Sequence, residues 1–138
     1  NINTFLRYAG CNCAMGGTTL AGEWIDVIRF RDWLKNELQI RTFNALKTNR
    51  KVPFTDGGIG LIEGVMDSTL KDGQDIGGIA PTEYDDDDNP IYGYSVTVPK
   101  ASDLTEAERK SRKLTGCKWS ARLAGAIHAV EISGNLTF

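Results

Sequence analysis

Side-chain type alternates near the end of the chain. Within residues 126–133 the even-numbered positions, among them His128, Val130 and Ile132, would point to one side of an extended chain, and Glu131 to the other. A period of two with β-branched residues predicts a strand. An apolar strand edge without later charge or proline is free to pair. We therefore predict that residues 131–138 pair between chains or lie next to the strand that does. They are Glu131, Ile132, Ser133, Gly134, Asn135, Leu136, Thr137 and Phe138.

Apolar residues at helical spacing predict three helices. The first covers residues 30–48, with Trp33 and Leu34 expected to be buried against a sheet. The second begins at a Thr55 cap and ends near Gly73, and its several glycines are expected to allow close approach to a neighbour. The third is a short charged helix over residues 102–114, begun by a capping box of Thr105 and Glu108.

The remaining segments are predicted to be strands and loops. Residues 23–29, 91–98 and 118–123 have the composition of strands, and residues 1–8 form a first strand or a linker. The Gly-rich stretch 9–22 and the stretch 74–90 are expected to be loops. This order predicts one α+β domain over residues 1–138, with an antiparallel or mixed sheet and helices packed on one face.

Composition and charge narrow the class of protein. The net charge is −2, with 41% apolar and 25% charged residues, so nothing marks a nucleic-acid or membrane-surface binder. No apolar run approaches the ~20 residues of a membrane span. Because the chain begins at Asn1 and not Met, we expect a processed chain or a fragment of a longer protein.

Few residues suggest chemistry. His128 is the one histidine, and it is predicted to be a packed structural residue with a hydrogen-bond partner. Cys11, Cys13 and Cys117 are expected to be reduced thiols. A thiol-dependent enzyme domain that pairs one of them with His128 stays an alternative. The same four residues could supply a zinc site, but their spacing does not fit one, so no metal or cofactor is predicted.

The acidic run at residues 85–88 lacks the interleaved ligands, glycine and terminal glutamate of an EF-hand loop. A solvated acidic loop is the simplest interpretation. A weak ion site and a contact with a basic partner surface are the two other options.

Several short motifs, in order, resemble one known family. They are a Gly-rich loop leading into GEWID at 22–26, DWL at 32–34, VPFTDGG at 52–58, IAP at 79–81, the strand 94–99, Arg109 with Arg112, and GAIH at 125–128. Together they resemble the C-terminal domain of contractile phage tail sheath proteins. The acidic run and Cys11 with Cys13 are not part of this pattern.

The resemblance implies a structural subunit of a phage or prophage tail, without catalytic residues. Such a subunit is expected to polymerise with other sheath subunits around a tail tube protein and to contract, driving the tube through the host envelope. Its location would be the virion, after synthesis in the host cytoplasm. Terminal strands exchanged between subunits are expected to link them. A monomeric binding module is a further alternative.

Overall fold

A computed structural model describes residues 3–135 of the chain. In chain order the elements are β1 (Thr4–Tyr8), β2 (Cys11–Met15), α1 (Ile25–Thr48), α2 (Asp56–Asp75), β3 (Glu83–Tyr84), β4 (Pro90–Ile91), β5 (Tyr94–Thr97), a 3₁₀ turn (Ala101–Asp103), α3 (Glu106–Ser111) and β6 (Lys118–Ala121). Helices and small antiparallel sheets give an α+β fold, as the sequence predicts.

Helix α1 begins at Ile25, so the strand predicted over residues 23–29 is wrong. The physical reason is that this stretch also carries the helical spacing: Val27, Phe30 and Leu34 lie three and four residues apart, and all three are at least half-buried. One antiparallel bridge, between Thr18 and Trp24, is all that remains extended there.

Both predicted helix caps are confirmed. Thr55 accepts a hydrogen bond from the Gly58 amide at 3.3 Å and begins α2. Thr105 and Glu108 form the full capping box of α3. The third helix is shorter than predicted, because Arg112 takes a left-handed conformation (φ 55°) and ends it.

The strands form three two-stranded antiparallel sheets rather than one larger sheet: β1–β2, β3–β4 and β5–β6. The loop predicted at residues 9–22 is therefore partly wrong, because β2 pairs with β1 across a turn at Ala9 and Gly10 with positive φ. Of the two options for residues 1–8, a strand or a linker, residues Thr4–Tyr8 form the strand β1. The strand predicted at 91–98 is broken at Gly93, where a β-carbon would lie 1.8 Å from the Ala80 carbonyl oxygen.

The core lies between the two long helices and the β5–β6 sheet. Leu34, Leu70 and Ile79 are buried at its centre. Around them pack Phe30, Trp33, Leu38, Tyr94, Val96 and Ala121. On the other side of the sheet the hydroxyls of Ser95 and Ser120 lie 2.9 Å apart and are exposed. Helices thus cover one face of this sheet, as predicted.

Candidate assembly surface

The C-terminal segment, residues 125–135, leaves the sheet at Gly125. Just before it, the Arg122 amide donates to the Gly93 carbonyl at 2.8 Å, and the Ala124 amide donates to the Gly78 carbonyl at 3.1 Å. Gly125 then turns the chain with φ +72°, a conformation that favours glycine. Within the described residues, no main-chain hydrogen bond involves the segment after this turn.

Among the described residues 3–135, the strand predicted at 126–133 does not form. Its apolar side chains are open to solvent: Ile127 is 86% exposed, Val130 73% and Ile132 88%. An amide and carbonyl row without partners, flanked by exposed β-branched side chains, is an incomplete strand. Of the predicted pairing residues, Glu131 to Asn135 are exposed, whereas Leu136, Thr137 and Phe138 lie outside the described residues.

His128 does not occupy the packed site that the sequence predicts. It is exposed, and its ring stacks on the Trp24 ring with centroids 4.4 Å apart and planes 25° apart. The prediction is wrong because it assumed that the alternating stretch was covered by its own sheet. The stack instead connects the C-terminal segment to Trp24, the residue that directly precedes α1.

Strand β6 has an open edge. Arg122, which directly follows β6, uses its N–H to bond Gly93 and its carbonyl to accept from Ala80 at 2.8 Å. The amide and the carbonyl of one residue in a strand point to the same side. Strand β5 and residues 78–80 therefore both lie along the same edge of β6. No strand in the described part of the chain covers the opposite edge of β6.

An apolar groove of about 530 Å³ lies beside β6. One wall is the α1 surface with Leu38, Thr42 and Leu46, and another contains Trp119 of β6. Ile59, Ile62 and Met66 of α2 also line it, as do residues 52–54, residues 112–114 and Cys117. An unpaired strand edge beside an apolar groove is the geometry in which an added strand gains both main-chain hydrogen bonds and burial.

The two arginines of the motif pattern have different surroundings. Arg109 donates to the main-chain carbonyls of Ala101, Leu104 and Phe54, so it holds the α3 loop onto the α2 entry. Arg112 lies at the groove in the strained left-handed conformation that ends α3. Arg112 and Lys113 add two basic side chains to the lining of the groove.

The acidic run forms the turn of the β3–β4 hairpin. The Asp85 carboxylate accepts from the amides of Asn89 at 2.8 Å and Asp87 at 3.0 Å. These bonds, chiefly those from Asn89, lower the pKa of Asp85 below its ordinary value. Asp86, Asp87 and Asp88 are exposed. Among residues 3–135 no three His, Cys, Asp or Glu side chains are grouped so that they could hold a metal ion.

Two of the three thiols have structural surroundings. Burial raises the pKa of Cys117, whereas a reactive cysteine requires a lowered pKa. The Cys13 thiol donates to the Leu6 carbonyl at 3.6 Å within the β1–β2 hairpin. These contacts favour structural thiols over the thiol-dependent alternative.

No helix in the described part of the chain is long and apolar enough to span a membrane.

The area of the surface also indicates incomplete packing. The chain exposes 10917 Å², whereas a compact monomer of 15.1 kDa would expose about 7,000 Å².

The open β6 edge and its groove could not be identified from the sequence, because they depend on how α1 and β6 are placed relative to each other. One available signal was Trp119, an aromatic residue in a short strand that the predicted core did not use.

Comparison with known proteins assigns the chain to a family. Residues 25–136 match the family described as E217 tail sheath protein gp31-like, C-terminal domain. No curated protein sequence matches the chain. Proteins of this family are structural parts of the phage tail sheath and assemble with other sheath subunits in the virion. The chain therefore belongs to the tail sheath C-terminal domain family.

Proposed function

We propose that this chain forms part of a contractile sheath subunit that polymerises around a tail tube protein and contracts, driving the tube through the host envelope. The subunit is made in the host cytoplasm and acts in the virion, with no catalytic step of its own. Family membership supports the sheath role. Polymerisation around the tube and contraction are the steps that the proposal adds.

One observation carries the proposal: the chain holds both halves of an incomplete sheet. Within residues 3–135 the main-chain groups of the C-terminal segment after Gly125 have no main-chain partner, and Val130 and Ile132 are exposed. The β6 edge lies open beside the apolar groove. Because strand addition supplies main-chain hydrogen bonds and buries alternate side chains, the segment of one subunit fits the β6 edge of the next.

Strand exchange suits a sheath that changes length. A strand held by main-chain hydrogen bonds can keep neighbouring subunits linked while their other contacts rearrange. Contraction then requires many small differences in contact energy between the extended and contracted states. The turn at Gly125 lies between the segment and the body of the domain, where such a rearrangement could be absorbed.

The experiment is electron microscopy of the complete sheath subunit with and without residues 131–138. The unaltered subunit should form hollow striated cylinders, and the truncated one should not. Thermal melting of both proteins provides the control, because the helices and β5–β6 remain intact. Normal cylinders after truncation would overturn the exchange role of this segment, and failure of the unaltered subunit to polymerise would overturn the sheath proposal itself.

A further inference from the structure

We infer that an ion pair between Glu131 of one subunit and Lys118 of a second copy sets the register of the exchanged strand. This inference rests on the proposed exchange and specifies how the two surfaces meet. It follows from the two faces of β6, the two faces of the C-terminal segment and the charges that each face carries.

The two faces of β6 differ in chemistry. Trp119 pairs with Val96 and Ala121 with Tyr94, so these side chains share the face that packs towards the helices. Lys118 and Ser120 alternate with them and lie on the opposite, exposed face. A strand added at the open edge would continue both faces, one over the apolar groove and one beside Lys118.

The C-terminal segment has a matching division. With Val130 and Ile132 over the groove, Glu131 falls on the exposed face, because successive side chains point to opposite sides of a strand. The reverse placement would turn Val130 and Ile132 to solvent. It would also put the Glu131 carboxylate over a groove whose lining is mainly apolar apart from Arg112 and Lys113, where burying an unpaired charge is costly. A one-residue slip produces this reverse placement, so the groove and Glu131 together select one set of registers.

The charges favour one partner within that set. The added strand lies beside β6, whose one charged side chain is Lys118. In the described part of the chain neither Lys118 nor Glu131 forms an ion pair, and both are exposed. Opposite charges directly across a strand pair stabilise it and like charges destabilise it. Pairing Glu131 with Lys118 of a second copy therefore fixes one register out of several.

The test is a charge swap in the complete subunit. Lys118→Glu and Glu131→Lys should each raise the critical concentration for cylinder formation roughly 2- to 10-fold, since each places like charges across the strand pair. The double variant should return to near the unaltered value. Lys35→Glu and Glu63→Lys are matched controls, because each makes the same charge change at an exposed site outside β6 and the C-terminal segment.

The outcomes distinguish the Glu131–Lys118 ion pair from the strand exchange itself. Recovery in the double variant supports the ion pair. Additive losses in the double variant, or single variants that assemble like their matched controls, would overturn it. If the ion pair is overturned but removal of residues 131–138 still abolishes cylinders, strand exchange is supported and only the proposed register is wrong. If the truncated subunit also assembles normally, the exchange proposal fails as well.

Discussion

The imidazole of His128 stacks on the indole of Trp24, with ring centroids 4.4 Å apart. The stack is the one aromatic contact made by the C-terminal segment within the described residues. It lies three residues beyond the turn at Gly125. A single exposed stack is worth about 0.5–1.5 kcal/mol, so it can hold the segment near α1 without preventing its release to a neighbour.

We predict that Trp24→Ala moves the His128 ring-proton signals in the NMR spectrum to the positions of an unstructured histidine. A stacked indole shields these protons, and the single histidine of the chain makes the signals unambiguous. Trp119→Ala is the matched control, because Trp119 lies at the groove and should leave the signals in place. Unchanged signals in Trp24→Ala would show that the stack does not persist in solution.

Leu34→Ala should destabilise the domain by about 2–5 kcal/mol, the usual cost of removing a buried leucine side chain. Leu34 is 3% exposed and lies against Leu70 and Ile79. Phe43→Ala on the same helix removes more atoms from a side chain that is 65% exposed, and it should cost less than about 1 kcal/mol. Urea unfolding of both variants checks the helix face. A larger loss for Phe43→Ala would mean that α1 faces the other way.

Two glycines of α2 should respond oppositely to alanine. At Gly58 an added β-carbon would lie 2.0 Å from the Pro53 carbonyl oxygen, so Gly58→Ala should destabilise by about 1–3 kcal/mol. At Gly64 nothing lies within 4 Å, and Gly64→Ala should stabilise by roughly 0.5–1 kcal/mol through helix propensity. Thermal melting measures both changes, and two changes of the same sign would refute the placement of α2.

The capping box should make stability depend on pH. Hydrogen bonds from the Thr105 amide and hydroxyl, and then from Thr115, lower the pKa of Glu108 below its ordinary value of 4.5. A lowered carboxyl pKa stabilises the fold above the unfolded pKa, and this contribution disappears as the pH falls through the folded pKa. The difference in melting temperature between the unaltered protein and Glu108→Ala should thus be present at neutral pH and shrink in acid. A constant difference would contradict it.

Local signals predicted much of the fold. The caps at Thr55 and Thr105 are short-range, because each side chain bonds an amide three residues ahead, and both are confirmed. The strands at 94–97 and 118–121 and the burial of Leu34 follow from composition and periodicity, whereas the pairing of β5 with β6 was not predicted. The N-terminal end of α1 was missed because Trp, Ile and Val suit strands, while the spacing of Val27, Phe30 and Leu34 suits a helix.

Of the assembly surface, only the C-terminal segment was predicted from the sequence, not the β6 edge and groove that would receive it. The alternation at residues 126–133 predicts a strand, but it does not indicate which chain supplies the partner strand. The groove, the open β6 edge and the stack on Trp24 arise from contacts far apart in sequence, which periodicity does not report. His128 was misplaced for the same reason, since a pattern typical of a covered strand does not say which chain covers it.

The most direct measurement is a cryo-electron microscopy map of the assembled sheath that traces the chain through residues 118–138. The account predicts that the segment after Gly125 leaves its own domain and lies along the β6 edge of a neighbouring subunit, with Val130 and Ile132 over the groove. A map in which the segment pairs within its own subunit, or in which the β6 edge is open to solvent, would contradict the account.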